Sequence, residues 1–102
     1  MDDTTYSLEA IDHAVVSVLK NVPSIQKAAV FGSRAKGNHN LYSDVDIALY
    51  GDIDLFEVER IACDLDELPL IYTFDVVAYN LLENPALKEH IDRIGKVIYE
   101  KE

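Results

Sequence analysis

Apolar residues recur at helical spacing along the first part of the chain: Leu8, Ile11, Val15, Val18, Leu19 and Val22. A repeat of 3.6 residues collects them on one face. Ser7 stands where an N-cap belongs and Pro23 stops the run, so the pattern predicts an amphipathic helix over residues 8–21. The period then changes. "KAAVFG" (27–32) reads as a short strand ending at Gly32. "DVDIALY" (44–50) alternates, with Asp44, Asp46, Ala48 and Tyr50 on one face and Val45, Ile47 and Leu49 on the other. Gly51-Asp52 breaks it.

Helical spacing returns after Asp54, a good N-cap with Glu57 three residues on. Leu55, Val58, Ile61, Ala62, Leu65 and Leu68 form the stripe of a second helix, which Pro69 closes. "LIYTFDVVAY" (70–79) is a long β-rich run interrupted by Asp75. Asn84-Pro85 opens a third helix carrying Leu87, Ile91 and Ile94, and Gly95 suits its C′ position. The tail "KVIYEKE" reads as either a short strand or a packed extended segment.

This order of elements implies an α/β fold, a small mixed β-sheet flanked by helices. The first two strands share a short loop and should lie antiparallel. The second and third are joined through a helix, so a right-handed parallel crossover follows. The C-terminal end of the first strand then lands beside the aspartates that open the second.

With 102 residues the chain is expected to form one domain, residues 1–102. Neither repeats nor low-complexity segments interrupt it. No apolar run approaches membrane-spanning length, and "MDDTTYS" is unlike a leader peptide, which points to a cytoplasmic protein. A single cysteine, Cys63, forms no internal disulfide and reads as a packing residue. The formal net charge of −10 repels polyphosphate backbones, which argues against generic DNA or RNA binding. A small anionic ligand remains compatible if local cations and metal ions override the global field.

The two aspartates heading an apolar strand are the chemical anomaly. Asp44 and Asp46 project from the same face, about 7 Å apart along the strand. Like charges so placed repel unless one is protonated or a cation sits between them. Mg²⁺ or Mn²⁺ answers that need, and Mg²⁺ is commonly shared between carboxylates and substrate phosphates. Asp75, isolated in its own apolar run, is a third carboxylate if its strand is a neighbour. Three carboxylates around two cations support in-line phosphoryl or nucleotidyl transfer. Gly32 and Ser33 supply the complement: a backbone that approaches phosphate closely and a hydroxyl donor. Arg34 and Lys36 are nearby cations that could offset the charge of outer phosphates, although their direction is not read from sequence.

Each element alone has an ordinary explanation: a solvated turn for the DxD, a solvated surface for Arg34 and Lys36, a strand cap or ion pair for Asp75. What joins them is the topology, which brings all of them to one sheet edge. Other phosphate motifs fail on inspection. "GSRAKG" has the glycine spacing of a P-loop, but Asn38-His39 stands where Lys-Ser/Thr should follow, and a GxGxxG fingerprint is absent. His13, His39 and His90 lack metal-ligand spacing, and the tyrosines suit strand and core positions.

"GSRAKGNHNLYSDVDIAL" together with the downstream "FDVV" resembles the signature of the nucleotidyltransferase superfamily that includes DNA polymerase β, in particular its minimal members. That resemblance implies two Mg²⁺ ions on Asp44 and Asp46, with Asp75 completing the site and easing deprotonation of an acceptor hydroxyl. It implies that Gly32 and Ser33 hold the β- and γ-phosphates of ATP or another nucleoside triphosphate. Arg34 and Lys36 accompany them, and Ser43 orients the aspartate loop. A nucleoside monophosphate is transferred and pyrophosphate leaves. Larger members add a helical domain over the base, so a partner or a second copy is expected to complete the pocket here. Minimal members resemble the antitoxin of a pair whose partner is a helical HEPN-domain protein, and AMP can be placed on a partner tyrosine. Three alternatives stay open: transfer to a small molecule such as an aminoglycoside, a non-catalytic partner-binding module, and a nucleotide-sensing domain.

Overall fold

A computed structural model describes residues 8–31, 45–68 and 73–101. Among them, α1 (Leu8–Leu19) leads into β1 (Ile25–Phe31), and β2 (Val45–Gly51) into α2 (Leu55–Asp66). Then come β3 (Phe74–Ala78), a 3-10 turn (Tyr79–Leu81), α3 (Pro85–Ile94) and β4 (Lys96–Glu100). The strands form one sheet in the order β3-β2-β1-β4. β1 pairs antiparallel with β2 and with β4, while β2 pairs parallel with β3. The mixed sheet expected from the sequence is therefore present, and the tail that read two ways is its fourth strand.

The starts of α2 and α3 have local chemical causes. The Asp54 carboxylate accepts from the Glu57 amide at 2.8 Å, and the Asp54 amide donates to Glu57 Oε1 at 3.4 Å, closing a capping box. Asn84 Oδ1 accepts from the amides of Ala86 and Leu87 at the start of α3, where Pro85 needs no hydrogen-bond acceptor. Gly95 ends α3, as its sequence position suggests, with extended backbone (φ −63°, ψ 138°). Its lack of a side chain serves a close approach, because a Cβ there would crowd the Ile91 carbonyl. Gly51 is the reverse case. Its φ of +142° is one that side chains rarely tolerate, and a Cβ would collide with the Ser24 carbonyl oxygen. Glycine thus lets β2 end tightly against the start of β1, where Ile25 opposes Gly51.

The alternation in β2 sorts the core into two layers. Val45, Ile47 and Leu49 face α1 and α2, packing with Val15, Leu19, Val58, Ile61 and Leu65. Ala48 faces the other way, clustering with Phe31 and with Ile91 of α3, while Tyr50, Val77 and Tyr79 pack around them. Burial on both faces is why β1 and β2 read as almost continuous apolar runs. The smaller layer is braced by rings. Tyr50 stacks on Tyr79 with centroids 4.7 Å apart, Lys27 Nζ lies 4.4 Å from the Tyr50 centroid, and the Tyr79 hydroxyl donates to Asp92 of α3. These contacts hold α3 over one face of the sheet.

Candidate active site

Asp46 is the second residue of β2 and Asp75 the second of β3. Because β2 and β3 are parallel and in register, these two aspartates are direct cross-strand partners. Strands lie about 4.8 Å apart, and residues in register share a face, so the two carboxylates leave the sheet side by side. That face is the one α3 covers, since Ala48 and Val77, each two residues further along, belong to its layer. Phe31, the last residue of β1, pairs with Asp46 from the other side. A single row across the sheet therefore reads Phe31, Asp46, Asp75.

Packing at this row grades from covered to open. Phe31 is buried, Asp46 is half-buried and Asp75 is exposed. His90 of α3 meets Phe31 edge to face with centroids 6.4 Å apart, so α3 borders the row at its β1 end. Nothing in the spacing of His90 marks it as a neighbour of the aspartates. Its proximity arises from α3 crossing the sheet, a tertiary fact with no signal in the sequence. A backbone bond from the Val45 amide to the Thr73 carbonyl, 2.8 Å long, fixes the entry of β2 against the entry of β3.

The other expected site residues are Gly32, Ser33, Arg34, Lys36, Ser43 and Asp44, and they lie outside the described residues. Their chain positions still constrain them: Gly32 and Ser33 follow Phe31 directly, and Asp44 is separated from Asp46 by Val45 alone. Among the described residues no three His, Cys, Asp or Glu side chains gather as a metal site. Asp46 and Asp75 supply two of the three carboxylates that the sequence points to. Hard oxygen donors from adjacent strands, one half-buried and one open to solvent, suit Mg²⁺ or Mn²⁺ shared with a phosphate better than they suit zinc, which favours nitrogen and sulfur.

An α/β sheet with this mixed order, and with carboxylates in one row at the head of its parallel pair, is the frame of a nucleotidyl-transferring domain. The chain belongs to the family described as polymerase beta, nucleotidyltransferase, whose model matches residues 13–102. Among solved structures it is similar to a chain in a toxin–antitoxin crystal structure with AMP-PNP: TM-score 0.77, 21% identity, covering 89% of this chain and 74% of that one. It is also similar to a chain in the tri-AMPylated Shewanella oneidensis HEPN toxin complex with MNT antitoxin, at TM-score 0.71 and 19% identity, covering 91% and 72%. A putative nucleotidyltransferase from Sulfolobus solfataricus follows at TM-score 0.56 and 18% identity, covering 92% and 80%. At these identities what is shared is the fold. No curated protein is similar enough to count as a match. Among the described residues no helix is long and apolar enough to cross a membrane.

Proposed function

We propose that this nucleotidyltransferase moves AMP from ATP onto an acceptor hydroxyl, a tyrosine of a HEPN-type toxin partner, and so acts as an antitoxin in the cytoplasm. The observation that carries the reading is the Asp46–Asp75 register, which puts two carboxylates on one face beside the segment that begins Gly32-Ser33. The complexes with AMP-PNP and with an AMPylated HEPN toxin support the choice of nucleotide and partner.

Asp44, Asp46 and Asp75 would hold divalent cations, two Mg²⁺ ions in the fullest arrangement. Bound there, such ions neutralise phosphate charge and polarise the α-phosphate. The protein's own groups do the rest. Amides from residue 33 onward and the Ser33 hydroxyl donate to the β- and γ-phosphate oxygens, while Arg34 and Lys36 offset outer charge. Ser43, adjacent to Asp44 in the chain, would orient the aspartate segment, as the family resemblance implies. Asp75, the most open of the row, accepts the proton of the incoming hydroxyl. The acceptor oxygen then bonds to the α-phosphorus, the bond to the β-phosphate bridging oxygen breaks, and pyrophosphate departs with the negative charge. An exposed Asp75 also leaves the acceptor's approach open on that side, as a protein-borne tyrosine requires.

Intact mass spectrometry of a HEPN-type partner after incubation with the chain, ATP and Mg²⁺ tests this reading. Each AMP adds about 329 Da, the formula mass of the transferred group in two-metal nucleotidyl transfer. An unmodified partner, with ATP intact, would overturn the proposal.

A further inference from the structure

At its β1 end the aspartate row is bordered by a ring that the proposed reaction leaves unused. His90 is half-buried on α3 and meets Phe31 edge to face. Among the described residues neither of its ring nitrogens has a hydrogen-bond partner. An imidazole carries at least one N–H donor whether neutral or charged, so a donor stands here without an acceptor among those residues.

The way α3 lies on the sheet gives that donor a direction. Ile91 points into the sheet and is 1% exposed. Successive helical residues turn by about 100°, so Asp92 and His90 leave α3 on opposite sides of Ile91. Asp92 accepts from the Tyr79 hydroxyl, and Lys88, four residues earlier on the same flank, lies 5.4 Å from the Tyr79 ring centroid. Tyr79 follows the C-terminal end of β3, whereas Asp75 is near its start. The Asp92 flank therefore faces the end of the sheet remote from the aspartates, and the His90 flank faces the aspartate end. Contact between His90 and Phe31, the cross-strand partner of Asp46, agrees with this. Of the cations on α3, Lys88 belongs to the far flank and Arg93 pairs with Glu89 at 3.6 Å, where both are exposed.

We infer that His90 donates a hydrogen bond to the triphosphate of the bound nucleotide, at the other end of the row from the acceptor's approach beside Asp75. The inference rests on the nucleotidyl-transfer reading. Phe31 runs directly into Gly32-Ser33, the pair proposed to hold the β- and γ-phosphates, so the phosphate tail and His90 share the β1 side. A chain of net charge −10 repels an anionic tail at long range, and donors close to the row offset that repulsion. Charged phosphate oxygens accept such bonds strongly.

Isothermal titration calorimetry of the full chain with AMP-PNP and Mg²⁺ tests the inference. His90→Phe keeps a ring against Phe31 and removes the donor. It should bind about tenfold more weakly, roughly 1.4 kcal/mol, with an unchanged circular dichroism spectrum. His90→Asn and His90→Gln carry an N–H donor near the reach of Nδ1 and Nε2, and at least one should bind within about threefold of the parent. Inorganic tripolyphosphate, which has no base, should show the same loss in His90→Phe, and Lys88→Ala on the other flank should leave binding unchanged. Parent-like affinity in His90→Phe would overturn this inference alone. So would equal weakening by Lys88→Ala, both amide variants binding as weakly as His90→Phe, or a loss seen with AMP-PNP but not with tripolyphosphate, which would put the contact at the nucleoside. A parent chain that binds no AMP-PNP would instead overturn the nucleotidyl-transfer reading, and this inference with it.

Discussion

Removing one charge from the aspartate row makes a prediction whose sign depends on metal. Asp75→Asn preserves shape and relieves the repulsion between cross-strand partners Asp46 and Asp75. Unit charges about 5 Å apart repel by about 0.8 kcal/mol at the dielectric of water, which is appropriate because Asp75 is exposed, and physiological salt screens this to roughly 0.5 kcal/mol. In EDTA the variant should therefore melt about 2–4 °C above the parent, using the usual Tm response of a domain this size. Mg²⁺ reverses the order. A tenfold excess over the dissociation constant adds about 1.4 kcal/mol to a protein that binds it, and on the proposed reading the variant lacks one of the ligands. Differential scanning fluorimetry of both proteins, with EDTA and across a Mg²⁺ titration, measures both halves. A variant less stable than the parent in EDTA, or stabilised by Mg²⁺ as much as the parent, would refute the reasoning.

Other perturbations test the frame that positions the row. Ile91→Ala empties a side chain that is 1% exposed between α3 and the sheet, and should cost about 3 kcal/mol, seen as a large fall in Tm or in the denaturant midpoint. Gly51→Ala introduces a Cβ at a φ of +142° and against the Ser24 carbonyl, and should cost about 1–3 kcal/mol by the same measurement. The Tyr79 hydroxyl is raised above its usual pKa, chiefly by its hydrogen bond to the Asp92 carboxylate. A folded-state value above the unfolded one means that the stabilising contribution is complete below about pH 10 and is lost as pH rises through the folded value. Asp92→Asn should flatten the alkaline fall in Tm and shift the tyrosinate absorbance titration to lower pH; parallel curves for parent and variant would count against the contact.

The sequence was most legible where local rules and tertiary packing agree. Asp54 with Glu57, and Asn84 with Pro85, announce helix starts through chemistry that acts within four residues, and both caps are formed. The alternation of Val45, Ile47 and Leu49 against Ala48 and Tyr50 assigns both core layers correctly. The pairing of β1 with β2 and β2 with β3 followed from connection lengths. Register was another matter. That Asp75 stands opposite Asp46, and not a residue away on the other face, depends on how α2 seats the crossover, which no local pattern encodes. The strand expected over residues 70–79 is β3 only from Phe74 to Ala78, with a 3-10 turn from Tyr79; residues 69–72 lie outside the described residues. His90 beside Phe31 and the tyrosine stack are products of helix placement. The identity of β4 was ambiguous because a five-residue edge strand with exposed Val97 lacks the burial pattern of a core strand.

The most direct measurement follows label through a reaction of the chain with the proposed HEPN-type partner, ATP and Mg²⁺. Two ATP preparations are compared, one labelled at the α-phosphate and one at the γ-phosphate, each with the parent chain and with Asp46→Asn. The account predicts α-label on the partner, γ-label in pyrophosphate, and loss of transfer by at least about a hundredfold in the variant, as expected when a metal-holding or charge-stabilising group is removed. γ-Label on the partner, or α-label transferred equally well by Asp46→Asn, would contradict it.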